Sequence, residues 1–567
     1  MQQFIKAYGL FLILGGLSQL LLWVFGAASG EGFKDAVIIS SLWLIPLWWF
    51  PTRIRELSAA IALTICILAL PGLAYFLVYR QELTQSLMMI LFESNQSESQ
   101  EYLKNYFQWW FIPIFILYLS IPLWLWQSLR PRHLEKSKAI AYSLMTLLLA
   151  FGSPLKYGLT GDWGLTVKKI NKHLAAIPPF QLLLGYVNYQ TQLAEVEHTL
   201  LTMNAIKPLG HLREQPKPGP TTIVLVIGES TSRLHMGLYG YPRNTNPELS
   251  KIKHELTVFD NVYSPRPNTI ESLQQVLTFA DQLHPDEYKS KPSLVAMMKQ
   301  AGYHTIWITN QQTLTGRNTM LTSFAKQADQ QFFLNYERRQ NAYSFDDKVL
   351  NPFAESLKNP HQKKFIVVHL LGTHMKYSYR YPEKFNVFKT SQGLPHPALE
   401  EEKVALINSY DNAVRYNDWI LSQLISSLKS TQQHSLLVYF SDHGEDVYDT
   451  APYQFQGRNE ASPTLPMYSI PFIVWRSGNW FNASRLLVQA RTHQQYDNAD
   501  FIYTMAELAG IRFDGFQPEE SLVNSAFWQD NILVGDPHLG KLQPLAGTQQ
   551  FTFNKLAVWK PGYLAEH

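Results

Sequence analysis

Five uncharged apolar stretches, Tyr8–Ala27, Ala36–Thr52, Leu57–Tyr79, Phe107–Leu129 and Ala139–Leu155, occupy the first quarter of the chain without amphipathic periodicity. A bilayer-crossing helix needs roughly 17–25 apolar residues, so the pattern predicts five consecutive spans rather than buried helices of a soluble protein. No small-residue cleavage site follows the first stretch and four more spans come after it, so it is not read as a removable signal. The loop before the third span carries Arg53 and Arg55, and the loop before the fifth carries Arg130, Arg132, Lys136 and Lys138. The intervening loop holds Glu82, Glu93, Glu98 and Glu101 instead. Basic loops stay cytoplasmic, which puts the N-terminus inside and everything after Leu155 on the outer face, the periplasm of a Gram-negative cell.

Beyond the spans the pattern changes. Residues 157–220 are mixed and end in Gln215-Pro-Lys-Pro-Gly-Pro220, which continues neither helix nor sheet and reads as the end of a linker. Thr222–Ile227 is then a β-branched run of the kind found in a strand buried on both faces. Similar runs recur at His304–Ile308, Phe365–Leu371, Leu436–Phe440 and Pro471–Trp475, with helical stretches at Glu271–Asp281, Lys291–Ala301 and Glu401–Leu428 between them. Strands alternating with helices predict an α/β sheet covered on both faces. The expected division is a membrane domain over 1–156, a linker over 157–220 and one large outer domain over 221–567.

Composition sharpens this only in places. A chain of 567 residues exceeds one hydrophobic core, and the single cysteine, Cys66, lies in an apolar stretch, so no intramolecular disulfide forms. The net charge of +3, without a basic run, leaves nucleic acid out and membrane partners in.

In open α/β sheets ligands bind beyond the carboxyl ends of the strands. Three such places carry metal-ligand chemistry: Glu229 after Ile227-Gly228, Asp442-His443-Gly444-Glu445 after the run ending at Ser441, and His374 in Leu371-Gly-Thr-His. Glu229 alone is as readily a helix cap. With Asp442 and His443 it supplies two carboxylates and an imidazole, a set suited to zinc with one position open. His374 is equally a loop histidine packed against Tyr377 and Tyr379. Thr269, after Ser264-Pro-Arg-Pro267, opens a helix; it is most simply an N-cap, and the same position offers an anion site.

Three segments resemble the phosphoethanolamine transferases of the alkaline phosphatase and sulfatase superfamily: Val226-Ile-Gly-Glu-Ser-Thr-Ser-Arg233 with Leu238-Tyr-Gly-Tyr-Pro-Arg-Asn-Thr-Asn-Pro247, Pro265-Arg-Pro-Asn-Thr-Ile-Glu271, and Ser441-Asp-His-Gly-Glu445. The wording around Thr269 and the long Gly444–Pro463 loop look most like the subgroup acting on heptose phosphate of the lipopolysaccharide core. The resemblance implies a five-helix transmembrane domain followed by a periplasmic domain of alkaline phosphatase/sulfatase-like fold. It also implies one Zn2+ on Glu229, Thr269, Asp442 and His443, with Thr269 as the nucleophile that carries the phosphoethanolamine intermediate. His374 would contact phosphate or a second metal; Asn95 and Glu98, on the polar tip after the apolar Leu83–Phe92, would contact the ethanolamine, although the same stretch reads more simply as a solvated loop. The partners implied are a phosphatidylethanolamine donor, a lipopolysaccharide acceptor (core heptose first, lipid A second) and the bacterial inner membrane, with the chain acting as a monomer.

Two departures stand out: no periplasmic disulfide, and no histidine within Gly444–Pro463, where lipid A-modifying members carry them. Of the rivals, a sulfatase lacks its formylglycine motif here. A phosphoglycerol transferase differs only in donor, and a non-catalytic envelope scaffold would bind no zinc.

Overall fold

A computed structural model describes residues 1–25, 30–79, 109–201, 206–216, 219–312, 319–335, 344–395, 399–478, 480, 491–540 and 542–545. Asn95 and Glu98 lie outside the described residues. The chain divides into two compact units, Met1–Ala194 and Glu195–His567.

In the first unit three helices are long and apolar enough to cross a membrane: Gln2–Val24, Pro51–Leu77 and Lys136–Leu159. The expected fourth span appears as the shorter apolar helix Phe111–Gln127. The expected second is divided into a helix Gly30–Ser40, a 3-10 turn Ser41–Leu44 and a helix Ile45–Trp49, whose second residue, Pro46, has no N–H to continue the preceding ladder. Leu144, Met145, Leu148 and Leu149 on Lys136–Leu159, and Ile112, Ile116, Leu117, Leu123 and Trp124 on Phe111–Gln127, are all exposed. Outward apolar side chains on helices whose backbone bonds close internally suit a lipid solvent. Two hydrogen bonds tie these helices together: the Tyr118 hydroxyl donates to the Leu14 carbonyl at 2.6 Å and the Arg130 amide to Gln3 Oε1 at 2.9 Å.

The segment read as a linker is built from regular elements. Helices Trp163–Leu174 and Pro178–Leu201 fill much of it, the first capped by Asp162, whose side chain accepts the Leu165 amide at 2.8 Å. A strand begins immediately after the proline-bounded end, at Thr221.

The second unit is built on a seven-stranded sheet. In chain order its strands are β1 Thr221–Gly228, β2 Leu256–Phe259, β3 His304–Gln312, β4 Gln330–Asn335, β5 Lys363–His369, β6 His434–Ser441 and β7 Phe472–Arg476. They lie in the order β2-β7-β6-β1-β5-β3-β4, parallel from β6 to β4, with β7 antiparallel to both neighbours. Alternation sends Ile223, Leu225 and Ile227 of β1 to one core, with Phe365, Val367, Leu436, Val438 and helix Phe501–Ala509. Val224 and Val226 go to the other, with Ile366, Val368, Leu437, Tyr439 and helix Glu401–Thr431. Each face is thus sealed by helices, as the unbroken apolar runs require. The two strands that the pattern missed, β2 and β4, are both at the edges.

The central trio β6-β1-β5 fixes everything that follows. Gly228 pairs with Ser441 and Ile227 with His369, so the residues just past all three strands emerge side by side. The turn beyond β6 is packed tightly enough to require glycine: a Cβ at Gly444 would lie 2.1 Å from the Pro466 carbonyl oxygen. Gly444→Ala is therefore expected to lower stability by about 1–3 kcal/mol or more, read as a lower unfolding midpoint of the full-length chain. An unchanged midpoint would mean that the 466–467 backbone yields freely.

Candidate active site

Glu229, Asp442 and His443 are the one group of three or more metal-capable side chains among the described residues whose ligand atoms lie within 4.8 Å of each other. All three are buried, and Thr269 joins them from the first turn of helix Thr269–Val276. Thr269 Oγ1 is 3.2 Å from each Glu229 oxygen and 3.3 Å from His443 Nε2. The sequence-derived quartet is therefore one cluster. Helix Thr269–Val276 begins at Thr269 itself, two residues before the expected start, and Ser272 Oγ ties it to the Asp442 carbonyl at 2.5 Å.

The supporting bonds settle which atoms face inward. His443 Nδ1 donates to the Gly444 carbonyl at 2.8 Å, and Arg458 Nη1 lies 2.5 Å from Nε2, which therefore presents a lone pair. That lone pair stands 3.2 Å from Glu229 Oε1 and 3.2 Å from Asp442 Oδ2. Asp442 Oδ1 accepts the backbone amides of Ser230 at 3.0 Å and His443 at 2.7 Å, whereas buried Oδ2 has no hydrogen-bond partner. Ser230 presents its amide by adopting a positive φ of 56°, a conformation rare outside glycine that turns up at functional sites. Burial, and then the Glu229 carboxylate, push Asp442 well above the usual carboxylate range. Burial and Arg458 push His443 down to about 4, so its imidazole is neutral at pH 7. Acceptor atoms converging on one point, one of them unpartnered, suit a divalent cation.

His374 follows β5 on the loop Leu371–His374, which Asp346 holds by accepting the Leu371 and Gly372 amides, each at 2.9 Å. It is half-buried and near enough for its charge to act on Glu229, but it stands outside the three-ligand group. Sequence reasoning missed Gln311, whose Nε2 donates to Glu229 Oε2 at 3.2 Å from the end of β3. The rule of polar residues at strand ends would have found it had β3 been read past Ile308. It also missed Arg458, which reaches His443 from the Gly444–Pro463 loop.

The Sulfatase family matches residues 221–511. Phosphoethanolamine transferase EptC of Escherichia coli K12 is 42% identical over 531 residues, 92% of each chain. Phosphoethanolamine transferase CptA of Salmonella typhimurium is likewise 42% identical, again over 92% of each chain. The chain belongs to the phosphoethanolamine transferases of the sulfatase family. The C-terminal periplasmic domain of the E. coli EptC protein, solved in complex with Zn, is 46% identical with a TM-score of 0.58, covering 63% of this chain and all of that one. Full-length phosphoethanolamine transferase A of Neisseria meningitidis, an integral membrane protein, shares the fold over 92% of this chain and 97% of its own at 17% identity and a TM-score of 0.60. This transferase thus carries the sulfatase-type sheet with N-terminal apolar helices before it.

Behind the cluster, buried His235 bridges two carboxylates: Nδ1 to Asp411 at 2.7 Å and Nε2 to Asp449 at 3.1 Å. Asp411 also accepts Arg243 Nη1 at 2.7 Å and the Tyr241 hydroxyl at 2.9 Å, so the loop after Glu445 is clamped to helix Glu401–Thr431. Burial alone would lower the His235 imidazole, but Asp449 and Asp411 raise it to about 10. A folded-state value above the unfolded one, about 6.5, gives stability that is complete below that value and lost as pH rises through about 10. His235→Gln should therefore cost about 3–5 kcal/mol near pH 6, and the gap to wild type should narrow steadily towards pH 10. A gap that stays constant from pH 6 to 10 would mean that His235 is neutral in the fold.

Proposed function

We propose that this enzyme moves phosphoethanolamine from phosphatidylethanolamine onto lipopolysaccharide, with Thr269 carrying the group between them. The observation that carries the reading is the Thr269 hydroxyl, buried and 3.2–3.3 Å from the Glu229 carboxylate and the His443 lone pair. Glu229, Thr269, Asp442 and His443 would hold one Zn2+. A bound zinc lowers the pKa of a hydroxyl that it meets and offsets charge on phosphoryl oxygens.

Glu229 and His443 aim Oγ1 at an incoming phosphate. The Oγ1–P bond forms as the P–O bond to diacylglycerol breaks, and the proton lost by Thr269 is matched by the one that the leaving oxygen takes up. An acceptor oxygen then attacks phosphorus and restores the hydroxyl. His374 serves as a phosphate contact at the rim, a role that its place beyond the three-ligand group favours over a second metal site; Asn95 and Glu98 remain the proposed ethanolamine contacts.

The acceptor proposed first is core heptose phosphate, from the wording around Thr269 and the long Gly444–Pro463 loop, and lipid A second, since the Kdo(2)-lipid A transferase of Salmonella typhimurium matches at 30% over only 47% of this chain. The chain would act as a monomer in the inner membrane, with five spans over 1–156, a cytoplasmic N-terminus, a linking segment over 157–220 and a periplasmic catalytic domain over 221–567. Both donor and acceptor are membrane-bound, which gives the spans their purpose.

Diacylglycerol release from labelled vesicles tests this. Thr269→Ala should lower release from phosphatidylethanolamine by at least about 1,000-fold, and Thr269→Ser should keep much of it. Release from phosphatidylglycerol alone would favour phosphoglycerol transfer, and full activity in Thr269→Ala would remove the nucleophile from the reading.

A further inference from the structure

The loop Gly444–Pro463 contains no histidine, yet it does not leave the site unattended. Gln456–Gly457 pairs antiparallel with Asp446–Val447, and Gly457 turns the chain with a φ of 110°. The next side chain, Arg458, is 13% exposed and points into the cluster. Its Nη1 lies 2.5 Å from His443 Nε2, and its Nε lies 3.6 Å from Glu445 Oε2. Two residues on, Glu460 makes a two-pronged ion pair with Arg266, Nη2 to Oε2 at 2.9 Å and Nε to Oε1, with both side chains almost wholly buried. Arg266 stands three residues before Thr269. The segment that presents Arg458 is thus stapled to the segment that presents the nucleophile.

The Nη1 donor rests on the lone pair that a cation on Glu229, Asp442 and His443 would claim. Once that lone pair is taken, Nη1 needs another acceptor, while Nε keeps Glu445 Oε2 3.6 Å away. Nη1 is within about 6 Å of Thr269 Oγ1, the separation at which a guanidinium donor meets an oxygen of a phosphate bonded to that hydroxyl. The forked planar geometry matches phosphate, and the positive charge repels the ammonium of an ethanolamine group, so the partner is the anionic end of the substrate.

We propose that Arg458 is a phosphate-binding residue of this enzyme, taking a non-bridging oxygen of the phosphate in transfer at Thr269, with the Arg266–Glu460 pair holding it in place. The proposal rests on the reading of Thr269 as nucleophile and adds a contact that the four cluster residues do not supply.

The test uses the full-length chain in detergent, loaded with zinc, and titrates inorganic phosphate calorimetrically. Arg458→Gln should bind phosphate about 10–100-fold more weakly while keeping wild-type zinc content and unfolding midpoint. Arg458→Lys should recover part of the loss, and Glu460→Gln, which loosens the staple, should weaken phosphate by a smaller factor. Arg458→Gln should also slow formation of the phosphoethanolamine adduct from phosphatidylethanolamine vesicles. Wild-type phosphate affinity in Arg458→Gln overturns the proposal, as does loss of zinc together with phosphate, which would make Arg458 a metal-positioning residue. An adduct that forms at the wild-type rate but discharges slowly to lipopolysaccharide also overturns it, because the contact would then belong to the acceptor. A wild-type chain that forms no adduct while Arg458→Gln still loses phosphate would break the donor reading and leave the phosphate contact standing.

Discussion

The constraint on which this site depends is a repulsion. His443 is fixed by its bond to Gly444 so that Nε2 offers only a lone pair, and it offers it to two carboxylates 3.2 Å away in a water-poor interior. Such an arrangement is unfavourable unless positive charge sits among the atoms, and Asp442 Oδ2, buried without a partner, marks where. Much of the surrounding chemistry keeps the acceptors aimed: Ser230 gives up an ordinary backbone conformation to bond Asp442, Gln311 steadies Glu229, and Ser272 ties the Thr269 helix to the Asp442 carbonyl. Guanidinium charge from Arg458 meets part of the need, and a divalent cation meets it in full.

The scaffold makes this possible by adjacency. Glu229, His374 and the Asp442-His443 pair are distant in sequence, yet they follow β1, β5 and β6, three neighbours in one parallel sheet. Their convergence was legible because buried parallel strands announce themselves as unbroken apolar runs and because polar residues just past such runs are few. Thr269 was less legible, since a threonine opening a helix reads most simply as a cap; only the resemblance singled it out, and its hydroxyl reaches Glu229.

What escaped the sequence did so for physical reasons. Strands β2 and β4 lie at the edges, β2 with only four residues and β4 with mostly half-buried ones, so their apolar signal is weak. Arg458 sits on a loop whose path is set by a positive-φ glycine and a buried ion pair 194 residues apart in sequence, neither of which has a local pattern. His235 carries no sequence pattern that points to Asp411 and Asp449, which close on it from two other elements. In the first unit three of the apolar stretches fall on helices long enough to cross a membrane, while proline at position 46 divides another and Phe111–Gln127 is shorter than its sequence suggested.

Metal content tests the central claim most directly. Zinc per chain, measured on purified full-length wild type and on Asp442→Asn after identical dialysis, should be close to one in wild type. In the variant the affinity should fall by more than about 100-fold with the fold retained. A wild-type chain that holds zinc no more tightly than Asp442→Asn would contradict the claim that these lone pairs are arranged around a cation.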